Sequence, residues 1–132
     1  MKPLLAAAML WAALGAACAH AADETVYELR TYTTHDGRLP ALHARFRDHT
    51  MRLFEKHGMH NVAYWIPVDR PNTLVYVIAH DSESSIEPAW RAFAADPEWQ
   101  AVAADSQKDG PILIEGGIQR QFLKATDYSP MR

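Results

Sequence analysis

The segment Thr73-Leu-Val-Tyr-Val-Ile-Ala-His80 most constrains what this chain can fold into. It carries no charged side chain before its terminal histidine and is rich in β-branched and aromatic residues. Such a run is a strand, and one apolar on both alternating faces belongs in the middle of a sheet, covered from both sides. The rest of the chain must therefore supply flanking strands and a layer to lie on them.

Two neighbours are legible upstream. Val26 to Thr33 (VYELRTYT) alternates, with Tyr27, Leu29 and Thr31 on one face and Val26, Glu28, Arg30 and Tyr32 on the other. Asn61 to Ile66 (NVAYWI) is a second strand, closed by Pro67. Between them His35-Asp36-Gly37 predicts a turn. Leu39 to His57 then carries helical spacing in Leu39, Leu42, Phe46, Leu53 and Phe54, and Gly58 stops it. Downstream, Ser82 to Ser85 offers capping side chains for a helix over Ile86 to Ala95. Asp96-Pro97 starts another, running to Gln107, with Asp as cap and Pro at the first position. Ile112 to Lys124 contains a last strand, bent at Gly116-Gly117. The tail, Ala125 to Arg132, is irregular.

The order strand, helix, strand, strand, helix pair, strand predicts an α+β, ferredoxin-like split β-α-β fold. That fold has a four-stranded antiparallel sheet with helices on one face only. The bare sheet face then calls for a partner, met by a homodimer that stacks two such faces into an α+β barrel.

The N-terminus follows different rules. Lys2 precedes an uncharged, Ala-rich run from Leu4 to Ala19, and Ala19-His20-Ala21 has small residues where a signal peptidase reads. The run is too short to span a bilayer. Residues 1–21 are therefore expected to be a cleaved export signal, placing the protein in the periplasm or outside the cell. Lipidation at Cys18 is the alternative. Removing residues 1–21 from 132 leaves 111, the domain from 22 to 132, and takes away the single cysteine. The formal charge moves from −3 to −4 with the loss of Lys2, which disfavours nucleic acid as a partner.

Several segments together resemble the NIPSNAP family. They are Val26-Tyr-Glu-Leu-Arg-Thr-Tyr32, Phe54-Glu-Lys-His-Gly-Met59, Tyr64-Trp65, Trp90-Arg-Ala-Phe93, Asp96-Pro-Glu-Trp-Gln100 and Thr126-Asp-Tyr-Ser-Pro130. The resemblance spans about Glu24 to Arg132. It implies a dimeric α+β barrel and no particular reaction. Related barrels include cofactor-free monooxygenases and haem-binding enzymes, an analogy of fold alone.

Candidate site residues follow from the first strand. If the face bearing Glu28, Arg30 and Tyr32 lines the dimer barrel, an acid, a cation and a phenol converge on an apolar cavity. Arg30 would hold a carboxylate or enolate oxygen, Tyr32 would donate a proton, and Glu28, desolvated, would be a base with a raised pKa. The competing reading is a structural Glu28–Arg30 ion pair bridging strands across the dimer. His80 is the fourth candidate catalytic residue, expected to project into the same cavity as Tyr76, the alternative being a strand-end histidine that meets solvent; one of Tyr64 and Trp65 is expected to face the cavity, and Tyr64 and Tyr76 are the candidate ligand contacts. Six histidines in the mature chain lack metal-ligand spacing, so neither metal nor other cofactor is expected. Trp90, Phe93 and Trp99 are core anchors. The function so indicated is binding of a small organic ligand in the dimer barrel, with cofactor-free oxygenase or isomerase chemistry as its enzymatic form. A non-catalytic dimeric interaction module and a haem binder are the alternatives.

Overall fold

The computed structural model describes residues 24–132. The leader, with the cleavage site before Ala22 and the lipidation site at Cys18, lies outside the described residues. Among those described, no helix is long and apolar enough to cross a membrane.

Four antiparallel strands form one sheet in the order β2-β3-β1-β4. They are β1 (Val26–Thr34), β2 (Met59–Trp65), β3 (Thr73–His80) and β4 (Leu113–Leu123). The apolar Thr73–His80 run is central, as its composition requires, with β1 on one side and β2 on the other. With the helices between β1 and β2 and between β3 and β4, this is the expected ferredoxin-like α+β topology.

The first helical stretch is not uniform. It divides into α1 (Leu39–Arg45), a π-helical turn (Phe46–Thr50) and α2 (Met51–Lys56). The Thr50 hydroxyl donates to the Arg45 carbonyl five residues back, at 3.2 Å, and so satisfies a carbonyl in the widened turn. Gly58, at φ +74°, ends the stretch in the left-handed conformation that glycine tolerates best. A 3₁₀ turn at Glu83–Ser85 leads into α3 (Ile86–Ala95), and the Ser82 backbone N–H donates to Ser85 Oγ at 3.2 Å. Asp96 caps α4 (Pro97–Ser106), its carboxylate accepting from the Glu98 N–H at 2.9 Å.

Strand parity decides what the helices cover. Glu28, Arg30 and Tyr32 pair across β1–β3 with Ile78, Tyr76 and Leu74, so all six point the same way. Those residues pack with Leu42, Phe46, Leu53, Phe54 and Phe93 of the helices. Tyr27, Leu29, Val77 and Ala79 make a smaller cluster with Val62 on the opposite face. The polar face of β1 therefore lies beneath the helices and does not line a barrel between two sheets. The reason is side-chain size: the large aromatic groups share its parity, and their area is buried by the helical layer.

Two irregularities set local register. Between Asn61 and Ala63 the β2–β3 pairing shifts by one residue. This bulge puts Asn61 and Tyr64, an odd number apart, on the same face. Between Tyr32 and Thr34 the β1–β4 pairing jumps from Ile118 to Leu113. The predicted bend at Gly116-Gly117 absorbs that jump. A Cβ on Gly117 would stand 2.6 Å from the Thr33 carbonyl oxygen, so only glycine fits there. Beyond the bend, Ile118, Arg120 and Phe122 share the parity of Tyr32, Arg30 and Glu28 yet are exposed, because the helices cover β1 to β3 and leave β4 bare.

Candidate functional site

Period-two alternation brings Glu28, Arg30 and Tyr32 into line on β1, and the antiparallel neighbour adds His80 and Tyr76. The Glu28 carboxylate is fully buried. It accepts from Arg30 Nη1 at 2.6 Å, His80 Nε2 at 2.7 Å and, from α3, Trp90 Nε1 at 2.8 Å. Desolvation acts to raise its pKa, but the three hydrogen bonds and the Arg30 charge outweigh it and hold the carboxyl below its ordinary value. Glu28 is therefore an ionised anchor, which corrects the expectation of a base with a raised pKa. Burial alone would have made it one; three convergent donors reverse the sign.

Arg30 is 7% exposed and is consumed in the same way. Nη2 donates to the Tyr32 hydroxyl at 3.2 Å, and the guanidinium lies 4.4 Å from the centre of the Trp90 ring. Its ion pair with Glu28 joins two residues of one strand, and its Nε is enclosed without a partner, so the cation is walled off from a ligand oxygen. Tyr76 donates its hydroxyl to that of Tyr32 at 3.0 Å, and burial pushes its phenol well above the usual range. Tyr64 stacks on Tyr76 with ring centres 5.2 Å apart and donates to Asn61 Oδ1 at 2.6 Å. Burial also raises the Tyr64 phenol, which stays protonated at neutral pH.

All six candidates, Glu28, Arg30, Tyr32, Tyr64, Tyr76 and His80, thus fall on one face in one layer. That layer is the seam between sheet and helices. His80 is fully buried, so it does not meet solvent at the strand end. Because Glu28 accepts throughout, His80 Nε2 carries the proton in that bond, and Nδ1 is enclosed without a partner. With one nitrogen on Glu28 and the other walled in, His80 offers no lone pair to a haem iron. Two further histidines meet carboxylates: His57 meets Asp96 at 2.7 Å, and His60 meets Glu55 and Asp81, each at 3.1 Å.

The seam opens at one end. Between the π-helical turn and β2 lies a cavity of about 640 Å³, lined by His43, Phe46, Arg47, Met51, Tyr64, Trp65, Ile66 and Leu74. Tyr64 is its link to the buried network, while Trp65, one residue on, turns to the open face and is half-exposed. Sequence reasoning missed three participants. Trp90 was legible only as a core anchor; its indole N–H matters because α3 crosses Glu28. His43 sits on the rim of the cavity by helical phase. Arg45 did leave a signal, a cation three residues from Leu42 and next to Phe46 on the apolar stripe.

A single-chain sheet with helices on one side and an aromatic-lined seam defines the class, an α+β domain of ferredoxin-like topology. The NIPSNAP family model matches residues 27–130, and the chain belongs to that family. An uncharacterised NIPSNAP-like domain protein from Burkholderia xenovorans superposes with a TM-score of 0.70 at 18% identity, covering 81% of this chain and 90% of that one. A NIPSNAP family protein of unknown function from Agrobacterium tumefaciens gives 0.69 at 24% identity, covering 86% and 98%. SnoaB, a cofactor-independent oxygenase from Streptomyces nogalater, gives 0.57 at 16% identity, covering 81% and 98%. These structures share the fold. No curated protein matches the chain.

Proposed function

We propose that this chain binds a small, mostly apolar organic molecule in the cavity between the π-helical turn and β2. The observation that carries this reading is the cavity itself: aromatic and aliphatic walls, one half-buried phenol, one imidazole and one guanidinium on the rim. That is the composition of a small-molecule site. A π turn at its edge adds support, since such turns gather at functional positions. Tyr64, whose proton is given to Asn61 Oδ1, presents its hydroxyl oxygen as an acceptor for a ligand's hydroxyl or N–H. In the enzymatic form of this reading, a cofactor-free oxygenase or isomerase, His43 accepts the substrate proton. Glu28 does not, because its lone pairs are committed. The fold shared with SnoaB agrees with this and adds no residue to it.

The test uses the Trp65 indole as a built-in reporter. Titration with 1-naphthol should shift its N–H resonance saturably, and Met51→Phe, which fills the cavity, should abolish the response. A shift that persists in Met51→Phe would refute the site.

Two copies of the chain are proposed to pair through the open sheet face. Trp65 and Leu123 stand 51% and 39% exposed there over the buried Tyr27 and Val77, an apolar surface of the kind that marks an interface. Sedimentation equilibrium should show a dimer that Leu29→Lys dissociates; a monomer at every concentration overturns the pairing. Export is proposed from the leader. Intact mass after expression with residues 1–21 in place should correspond to a chain beginning at Ala22, whereas a chain beginning at a lipidated Cys18 would overturn cleavage before Ala22 in favour of an anchored form.

A further inference from the structure

Two arginines are buried in this chain, and only one has a counter-charge. Arg30 spends its fork on Glu28 and Tyr32. Arg45, at the end of α1, is 8% exposed and makes no ion pair among the described residues. Its one hydrogen bond is long, Nη1 to Ser106 Oγ at 3.4 Å, and its Nε is enclosed with no partner at all. The Trp99 ring lies 5.4 Å from the guanidinium. A guanidinium stays charged in a protein, and buried charges are ordinarily paired or hold a ligand. The backbone does not need this one, since Thr50 already fixes the π turn through the Arg45 carbonyl.

The guanidinium lies at a cleft of about 250 Å³ between α1 and α4, on the opposite side of the first helix from the cavity beside β2. Ala41, Ala44 and Val102 leave room in it. The other cations lining the cleft are engaged. Arg38 Nη2 donates to the carbonyls of Ser106 and Gly110 at 3.1 and 2.9 Å, and Lys108 pairs with Asp105 at 3.5 Å. Asp48 and Asp109 also line the cleft and repel multiply charged anions. A planar head with two oxygens matches the arginine fork, and a single charge is the least that Asp48, Asp105 and Asp109 oppose.

We propose that the cleft between α1 and α4 binds a small organic monocarboxylate, its carboxylate seated on Arg45 with Ser106 Oγ beside it. This site is independent of the proposed cavity at Trp65: the Ala44, Val102 and Ser106 amides report on this cleft, and the Trp65 indole reports on that cavity.

The test is an amide NMR titration of the folded chain with sodium benzoate, with sodium chloride and sodium phosphate at matched ionic strength. Benzoate should shift the Ala44, Val102 and Ser106 amides saturably, and chloride should not. Arg45→Met should fold with an unchanged or higher Tm, because it removes an uncompensated charge, and should weaken benzoate at least about tenfold. Val102→Phe, which fills the cleft while keeping Arg45, should weaken it similarly. The proposal is overturned if benzoate gives no saturable shifts, if Arg45→Met keeps the response, if phosphate binds as tightly as benzoate, or if Arg45→Met lowers Tm sharply, which would mark a structural cation.

Discussion

Replacing Glu28 by glutamine removes one charge and almost no volume. The buried carboxylate accepts three hydrogen bonds, from Arg30, His80 and Trp90, and faces no competing acceptor. A glutamine amide has one oxygen and one NH₂. If the oxygen faces Arg30, the NH₂ meets the Trp90 N–H; if it faces Trp90 and His80, the NH₂ meets Arg30. Either way two donors oppose each other, and Arg30, 7% exposed, loses its only anion. Breaking a buried pair from one side costs about 3–5 kcal/mol. A domain of this size has roughly 5–15 kcal/mol in total, so the variant should sit at the edge of folding. At about 3–6 °C per kcal/mol, Tm should fall by roughly 10–25 °C. The assays are thermal and urea unfolding followed by far-ultraviolet circular dichroism. The exposed pair Arg91–Glu87 serves as control, since Glu87→Gln should change stability by under about 0.5 kcal/mol. Joint replacement with Glu28→Leu and Arg30→Met should recover part of the loss, because no charge is then stranded. A loss below about 1 kcal/mol for Glu28→Gln would refute the network argument.

Other outcomes follow from the same geometry. Trp90→Phe keeps a ring over Arg30 but leaves Glu28 one donor short, and urea unfolding should register a loss of about 1–3 kcal/mol. Gly117→Ala forces a methyl against the Thr33 carbonyl oxygen, and amide exchange should show the β1–β4 ladder opening around Tyr32. The Asp96 carboxyl is held well below its usual value by Lys56, His57 and the Glu98 N–H, and Glu28 is also lowered. A depressed carboxylate adds stability above its unfolded pKa of about 4 and loses it as pH falls through the folded value. Stability should therefore hold above about pH 4 and decline below it, and Asp96→Asn, scanned by acid titration, should decline less steeply.

The strand and helix plan was readable because alternation and 3.6-residue spacing are local signals. Val26–Thr34, Thr73–His80 and Ile86–Ala95 appear where their side-chain patterns put them, and Asp96-Pro97 caps its helix. Gly116-Gly117 announced the bend in β4. The π turn was not readable, since Phe46 to Thr50 has no distinctive composition; it follows from packing Phe46 inward while satisfying the Arg45 carbonyl. The β2 bulge, which sends Tyr64 inward and Trp65 outward, is equally a product of pairing with β3.

The candidate site divides in the same way. Composition and alternation alone grouped Glu28, Arg30 and Tyr32 on one face and set Tyr76 and His80 together. Whether that face met helices or a second sheet was not a local property, because both covers are apolar. Only the tertiary structure placed it beneath α3, where Trp90 supplies the third donor to Glu28. That contact turns a prospective base into a fixed anion, and leaves Arg30 a paired cation. The same packing leaves Arg45, which the sequence shows only as one charge on an apolar stripe, buried without a counter-ion. A residue's charge is written in the chain, but the balance between desolvation and partners exists only once distant segments meet.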